Sequence, residues 1–203
     1  MHSYAESSPS TRFIIFTLLI LGLSTFLSTS SSRAQSPRVS TGFSIGIVGQ
    51  GDRLIPSGHI GYNRSLVGPL RLHGQIRFSR LQTLDNPDLL NRDRLTYLDA
   101  STGFQISPLK VGRHRLIVGA GPTLRGRWEY DTIGVQRRFR NGMLVEQTFF
   151  VEERQSVDFG AWLRTAYSVR ITRALRAGLF MEGYNYNEGT GIFFFGLQTA
   201  FSL

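Results

Sequence analysis

From Val39 onward, large apolar residues alternate with small or polar ones. Val39, Thr41, Phe43, Ile45 and Ile47 fall on one face, and Ser40, Gly42, Ser44 and Gly46 fall on the other. A period of two belongs to a strand whose two faces meet unlike surroundings. The pattern returns over Ser57 to Leu66, Leu70 to Arg80, Tyr97 to Ile106, Arg115 to Arg125, Val157 to Val169, Leu175 to Glu182 and Phe193 to Leu203. Clusters of Gly, Pro, Asn and Asp separate the runs, and Ser107 to Gly112 reads as one such turn. The expectation is an all-β chain of eight antiparallel strands in an up-and-down meander.

Asn141-Gly142 is the strongest two-residue hairpin signal in the chain and calls for a type I′ turn. The register it sets places Arg137 opposite Glu146, Glu129 opposite Arg154, Arg125 opposite Asp158, and Leu124 opposite Phe159. Faces assigned from alternation alone therefore agree across the hairpin, as cross-strand pairing requires. Asp131 falls opposite Glu152, a like-charge pair that predicts a bulge nearby. The fifth and sixth strands are expected to rise above the rest as one long ribbon.

The amino-terminal segment has a different pattern. Arg12 precedes the apolar run Phe13 to Leu23, serines and threonines follow, and Ser32-Arg33-Ala34 closes the segment. This is the order of a signal peptide over residues 1–34, cut after Ala34, with a single domain over 35–203. The apolar run is shorter than the ~20 residues of a spanning helix.

Polarity decides which way the strands face. Opposite the apolar face stand Arg71, Arg77, Asp99, Arg115, Arg125, Asp158, Arg164, Arg176 and Glu182 among glycines and serines. A soluble lipocalin-like barrel would turn its apolar face inward around a ligand. This charged and small set makes a poor surface but a sensible packed interior, so the apolar face is expected to meet lipid. Connections support this: turns after the second, fourth and sixth strands are short, and loops after the third and fifth are long. With the amino terminus periplasmic, the Asn141-Gly142 tip lies outside the cell. Trp128, Tyr130 and Tyr167 on the outer face fit interfacial aromatic girdles.

At these residues, with Gly119-Ala120-Gly121-Pro122 and the final strand Gly196-Leu197-Gln198-Thr199-Ala200-Phe201-Ser202-Leu203, the chain resembles the bacterial outer-membrane β-barrel domain family. These are eight-stranded proteins related in form to the outer-membrane protein A and X barrels and to PorT-like proteins. The resemblance spans the whole mature chain. It implies the bacterial outer membrane, contact with its lipid and lipopolysaccharide, and recognition of the last strand by the barrel-assembly machinery. Leu203 stands where that family usually ends in an aromatic residue.

Composition narrows the chemistry. Basic residues outnumber acidic ones by 23 to 14 for a net charge of +9, and only Lys110 among the basic residues is not arginine. Arginine suits fixed, forked pairing with carboxylates and phosphates. The chain has no cysteine, and no histidines or carboxylates have ligand spacing, so neither metal nor cofactor is expected. His59 and His73 read inward as polar filling and His114 outward, with no motif grouping them with a serine and an acid, so no enzyme is expected. An eight-stranded barrel is filled by its own side chains, so Arg125, Asp158, Arg164 and Glu182 read as an internal charge network. The alternative is a switchable plug passing small ions or solutes. Arg137, Arg138, Phe139 and Arg140 form a basic tip suited to lipopolysaccharide phosphates or an acidic partner, or simply a solvated hairpin end. Nucleic acid makes no sense as a partner after export, and a monomer is expected.

Overall fold

A computed structural model describes residues 37–48, 53–82, 94–140, 143–187 and 189–203. The chain divides into two units, Met1–Ala34 and Gln35–Leu203. The expected signal segment and the Asn141-Gly142 turn lie outside the described residues. The second unit is a closed barrel of eight antiparallel strands, each paired with its sequence neighbours, with the last returning to the first. They are β1 (Arg38–Val48), β2 (Arg53–Ser65), β3 (Arg71–Gln82), β4 (Arg94–Val111), β5 (His114–Arg140), β6 (Met143–Arg170), β7 (Leu175–Tyr186) and β8 (Gly191–Ser202). Closure pairs Arg38 with Ser202 and Val48 with Ile192, so the sheet has no free edge.

Alternation sets the two faces. Phe43, Ile60, Phe78, Phe104, Leu163, Leu179 and Leu197 point outward, each more than half exposed. Ser40, His59, His73, Arg77, Asp99, Arg125, Trp162, Arg164 and Glu182 point inward and are buried. An apolar outside and a charged inside would be unstable in water. In hydrocarbon the arrangement is reversed in sign and favourable, because a closed ladder satisfies every backbone group without solvent.

Three connections at one end are tight: residues 66–70, 112–113 and 171–174. Gly68 and Gly112 both adopt φ of 56°, a left-handed conformation that a Cβ would strain, and this fixes glycine at two of these turns. The Leu66 amide donates to the Leu70 carbonyl at 3.0 Å, and the Leu70 amide donates to that of Val67 at 3.0 Å.

Two strand limits differ from the sequence reading. β4 continues through Ser107 to Val111 and is not a turn there; its register against β5 shifts between Ile106 and Leu109, around Pro108. Proline has no amide to give the ladder, and an irregularity accommodates it. β2 begins at Arg53, earlier than the expected Ser57, and Pro56 pairs with Ile45 of β1, while the β2–β3 ladder starts only at Ser57. Pro56 thus sits where one side of its strand has no ladder partner, the place a proline tolerates.

β5 and β6 are 27 and 28 residues long, against 18 for β4 and 12 for β7 beside them. β4 pairs with β5 only as far as Tyr130, and β7 pairs with β6 only from Gly160. Beyond those points the two strands pair, among the described residues, with each other alone, and ten further residues of β5 reach about 33 Å at ~3.3 Å per residue. A bulge falls between Thr132 and Gly134, directly after the Asp131–Glu152 pair. It moves the upper register by one, so Arg137 faces Gln147 and Arg138 faces Glu146. The expected Arg137–Glu146 pair is corrected accordingly, while a second register shift between Arg138 and Phe139 restores the expected partners Phe139–Leu144 and Arg140–Met143 at the tip.

Candidate functional site

The lumen is crossed by two charge clusters. In the first, the sheet aligns Arg77, Asp99, Arg125 and Asp158 as successive cross-strand partners on β3, β4, β5 and β6. Arg125 therefore has a carboxylate on either side. Its ion pair is with Asp99, through Nε to Oδ1 at 2.7 Å and Nη2 to Oδ2 at 3.2 Å. This two-pronged contact is the geometry a guanidinium fork favours. The Tyr186 hydroxyl donates to the same Asp99 oxygen at 2.8 Å. The rings of Tyr97 and Tyr186 lie 4.3 and 3.8 Å from the Arg125 guanidinium carbon, adding cation–π contact on two sides. Asp158 is buried on the same row and accepts from the Ser156 hydroxyl at 3.5 Å.

The second cluster is centred on Glu182 of β7. Arg164 of β6, its cross-strand partner, donates to Oε1 at 2.5 Å, and Arg77 reaches Oε2 from β3 across the lumen. Gln75 and the Tyr184 hydroxyl donate to Oε2 at 3.1 and 3.0 Å. Arg164 continues to the side-chain oxygen of Gln75 at 2.7 Å and to Gln198 of β8. Arg77 also donates to the hydroxyls of Ser44 and Ser57, at 2.6 and 3.0 Å, and lies 4.1 Å from the Phe194 ring centre. Side chains from both flanks of the barrel thus meet around one carboxylate, and they are buried there.

The structure therefore brings Arg164 and Glu182 together and seats Arg125 and Asp158 inside the barrel, but it gives Arg125 to Asp99. Sequence reasoning left Asp99 and Arg77 out of the network. It used only the β5–β6 hairpin register, and the β3–β4 and β4–β5 registers that align both residues with Arg125 had no comparable turn signal. Arg77–Glu182 spans strands remote in sequence and has no local signature. Ile55, Ile192 and Phe194, also absent from the expected interior, are buried there with Tyr184 and Tyr186.

His59 and His73 lie inside the barrel, and His114 lies outside it. The His73 Nδ1 lies 2.9 Å from the Asn63 side-chain oxygen. His59 is buried with its ring edge-on to Phe180. His114, outside, lies 2.5 Å from the Tyr167 hydroxyl through Nδ1. No group of three metal-binding side chains converges among the described residues.

At the far end of the ribbon, Arg137, Arg138 and Phe139 are exposed, and Arg138 lies 3.8 Å from Glu146. Arg140 holds the strand position paired with Met143, its side chain being outside the described residues. Lower on the ribbon, charges link within and across strands: Arg154 to Glu152 at 2.8 Å, and the Tyr130 hydroxyl to Glu153 at 3.0 Å. Trp128 and Tyr130 sit on the outer face near the ribbon's base and Tyr167 near the tight turns. Twelve residues of β5 separate Leu116, the partner of Tyr167, from Trp128. At ~3.3 Å per residue and a tilt of about 40°, that is close to 30 Å of height.

These features define a class: an eight-stranded transmembrane β-barrel, apolar outside and charged within. Solved structures agree in fold. Ail, the attachment invasion locus protein of Yersinia pestis, superposes with a TM-score of 0.58 at 10% identity, over 83% of this chain and 99% of its own. Neisserial surface protein A gives 0.57 at 12% identity over 85% of this chain and 100% of its own. A major outer membrane protein of Thermus thermophilus gives 0.58 at 11% identity over 82% and 99%. No family model matches the sequence, and no curated protein matches it. The likeness is therefore one of fold.

Proposed function

We propose that this chain is a non-enzymatic outer-membrane barrel that holds a long β-ribbon outside the cell and uses its basic tip to contact anionic groups, the phosphates of lipopolysaccharide first among them. The observation that carries the reading is the unequal strand length: β5 and β6 run on as a two-stranded arm after their neighbours stop. The arm places Arg137, Arg138, Phe139 and Arg140 at its end, where arginine forks and one exposed ring match phosphate oxygens and sugar faces. Ail, a barrel of the same fold, has been crystallised in complex with the heparin analogue sucrose octasulfate, a polyanionic sugar.

The filled lumen favours this reading over ion passage, since the Glu182 cluster occupies the centre with buried side chains from several strands. Among the described residues none of His59, His73 and His114 is hydrogen-bonded to a serine or a carboxylate, which favours it over catalysis. The reading includes export on residues 1–34 with cutting after Ala34, insertion by the barrel-assembly machinery through β8, and a monomer. The test is binding of purified protein to lipopolysaccharide vesicles, with Arg137, Arg138 and Arg140 all changed to Gln. Binding should fall while the folded band on unboiled gels persists; unchanged binding removes the tip as the contact site.

A further inference from the structure

The end of the barrel carrying the tight turns holds a different cluster. The first lumen-facing residue of every odd strand is arginine: Arg38 on β1, Arg71 on β3, Arg115 on β5 and Arg176 on β7. All four line one cavity of about 40 Å³, together with Ser168 and Gln198. No carboxylate lines it among the described residues. The strand ends around it, 60–78, 102–120, 164–181 and 196–203, contain no Asp or Glu. Glu182 stands six residues up β7 from Arg176, roughly 20 Å along the strand, and is already committed to Arg77 and Arg164.

The donors here are only partly used. Arg38 Nε donates to Ser202 at 3.2 Å and Arg115 Nε to Ser107 at 2.7 Å. Arg176 is only 9% exposed, yet its Nη1 is buried with no hydrogen-bond partner among the described residues, and so is the Ser168 hydroxyl. Four like charges around one small space repel, whereas the buried Arg77, Arg125 and Arg164 higher in the barrel are each matched by a carboxylate. The lining lacks only a multiply charged acceptor.

We propose that this turn-end cavity is an anion site that binds a single phosphate group. Forked guanidinium donors from four sides suit a tetrahedral group with several charged oxygens, and a phosphate monoester carries about −1.5 to −2 at neutral pH. Lys110, Arg113, Arg170 and Arg173 stand exposed around the same end and raise the local concentration of anions. The phosphate comes either from solution, as inorganic phosphate with that charge, or from the headgroup of an anionic phospholipid in the adjacent leaflet, whose phosphodiester brings one negative charge and two free oxygens.

The test follows thermal unfolding of the purified protein in zwitterionic micelles with inorganic phosphate, against chloride at matched ionic strength, and in nanodiscs of phosphatidylglycerol against phosphatidylcholine. The comparison variants are Arg71→Gln with Arg176→Gln, and Arg71→Lys with Arg176→Lys, which keeps the charge and removes the forks. Phosphate should raise the midpoint above chloride, and both variants should bind it about tenfold more weakly or worse. A gain confined to phosphatidylglycerol discs and lost in the variants assigns the phosphate to lipid. Equal effects of phosphate and chloride with no preference between lipids overturn the site, as does a phosphate gain that survives in both variants.

Discussion

Glu182 accepts from two guanidiniums, an amide and a phenol at a point where water has no access. The attraction between buried charges is offset by the cost of taking them out of water, so the cluster's worth lies in its completeness. Removing one member is therefore far costlier than removing all. Glu182→Ala strands Arg77 and Arg164 and is expected to destabilise the barrel by about 3–5 kcal/mol. Urea unfolding in detergent measures this; a loss below about 1 kcal/mol, the range of an exposed pair, would mean that water reaches the cluster. Gly121 offers a steric counterpart. A Cβ built there would lie 2.0 Å from the Thr102 carbonyl oxygen, backbone that cannot swing aside. Gly121→Val should force β4 from β5 and lower the temperature at which the folded band disappears, whereas Gly134→Val, at a position whose added Cβ meets only the Phe150 ring at 3.7 Å, should leave it unchanged.

At the scale of the strand, the β5–β6 ribbon separates what hydrogen bonding fixes from what lipid fixes. Inside the wall each strand has two partners and a lipid face; above it, among the described residues, β5 and β6 have only each other. Deleting residues 134–150 with a short Gly-containing turn should leave closure intact, because every wall ladder lies below the cut. The band shift on boiling checks this. Charge holds the lower ribbon in a way that pH can address. The hydrogen bond from Arg154, with its charge, keeps the Glu152 carboxyl below the usual carboxylate range. A depressed folded value means this contact is present above the unfolded value and is lost as pH falls through the folded one. Arg154→Gln should return Glu152 toward an ordinary carboxylate value, read by carboxyl NMR titration; an unmoved titration would remove Arg154 as the cause. The strands and the site of the bulge were legible in the sequence because alternation and an Asp131–Glu152 clash are local signals. The partners of Gly134 to Arg138 were not, since one inserted residue shifts them until a second irregularity before Phe139 restores the register. The interior network was legible as composition, in which residues face inward, and illegible as pairing. Arg77 to Glu182 depends on how a closed sheet brings β3 opposite β7.

For the whole molecule, charge is divided between the two ends. The end with the tight turns holds Arg64, Lys110, Arg113, Arg170 and Arg173 outside the lumen and no acid among the described residues, whereas Asp99, Glu129, Glu152, Glu153 and Asp158 belong to the half that bears the ribbon. Closure itself depends on β1 pairing with β8, so no part of the wall is stable alone, and a barrel that keeps its shape in mild detergent should run differently on gels before and after boiling. Orientation then becomes a question for a protease that cuts at Lys and Arg. If the ribbon faces outward, trypsin added to intact cells cuts at Arg137, Arg138 or Arg140, while Lys110, Arg113, Arg170 and Arg173 at the opposite mouth are cut only after the envelope is opened. A barrel inserted the other way gives the reverse order, with the tight-turn sites cut first and the ribbon spared. Mass spectrometry of the released fragments distinguishes the two. The reverse result would place the basic tip in the periplasm, away from surface sugars, and would turn the four-arginine mouth toward the outside phosphates instead.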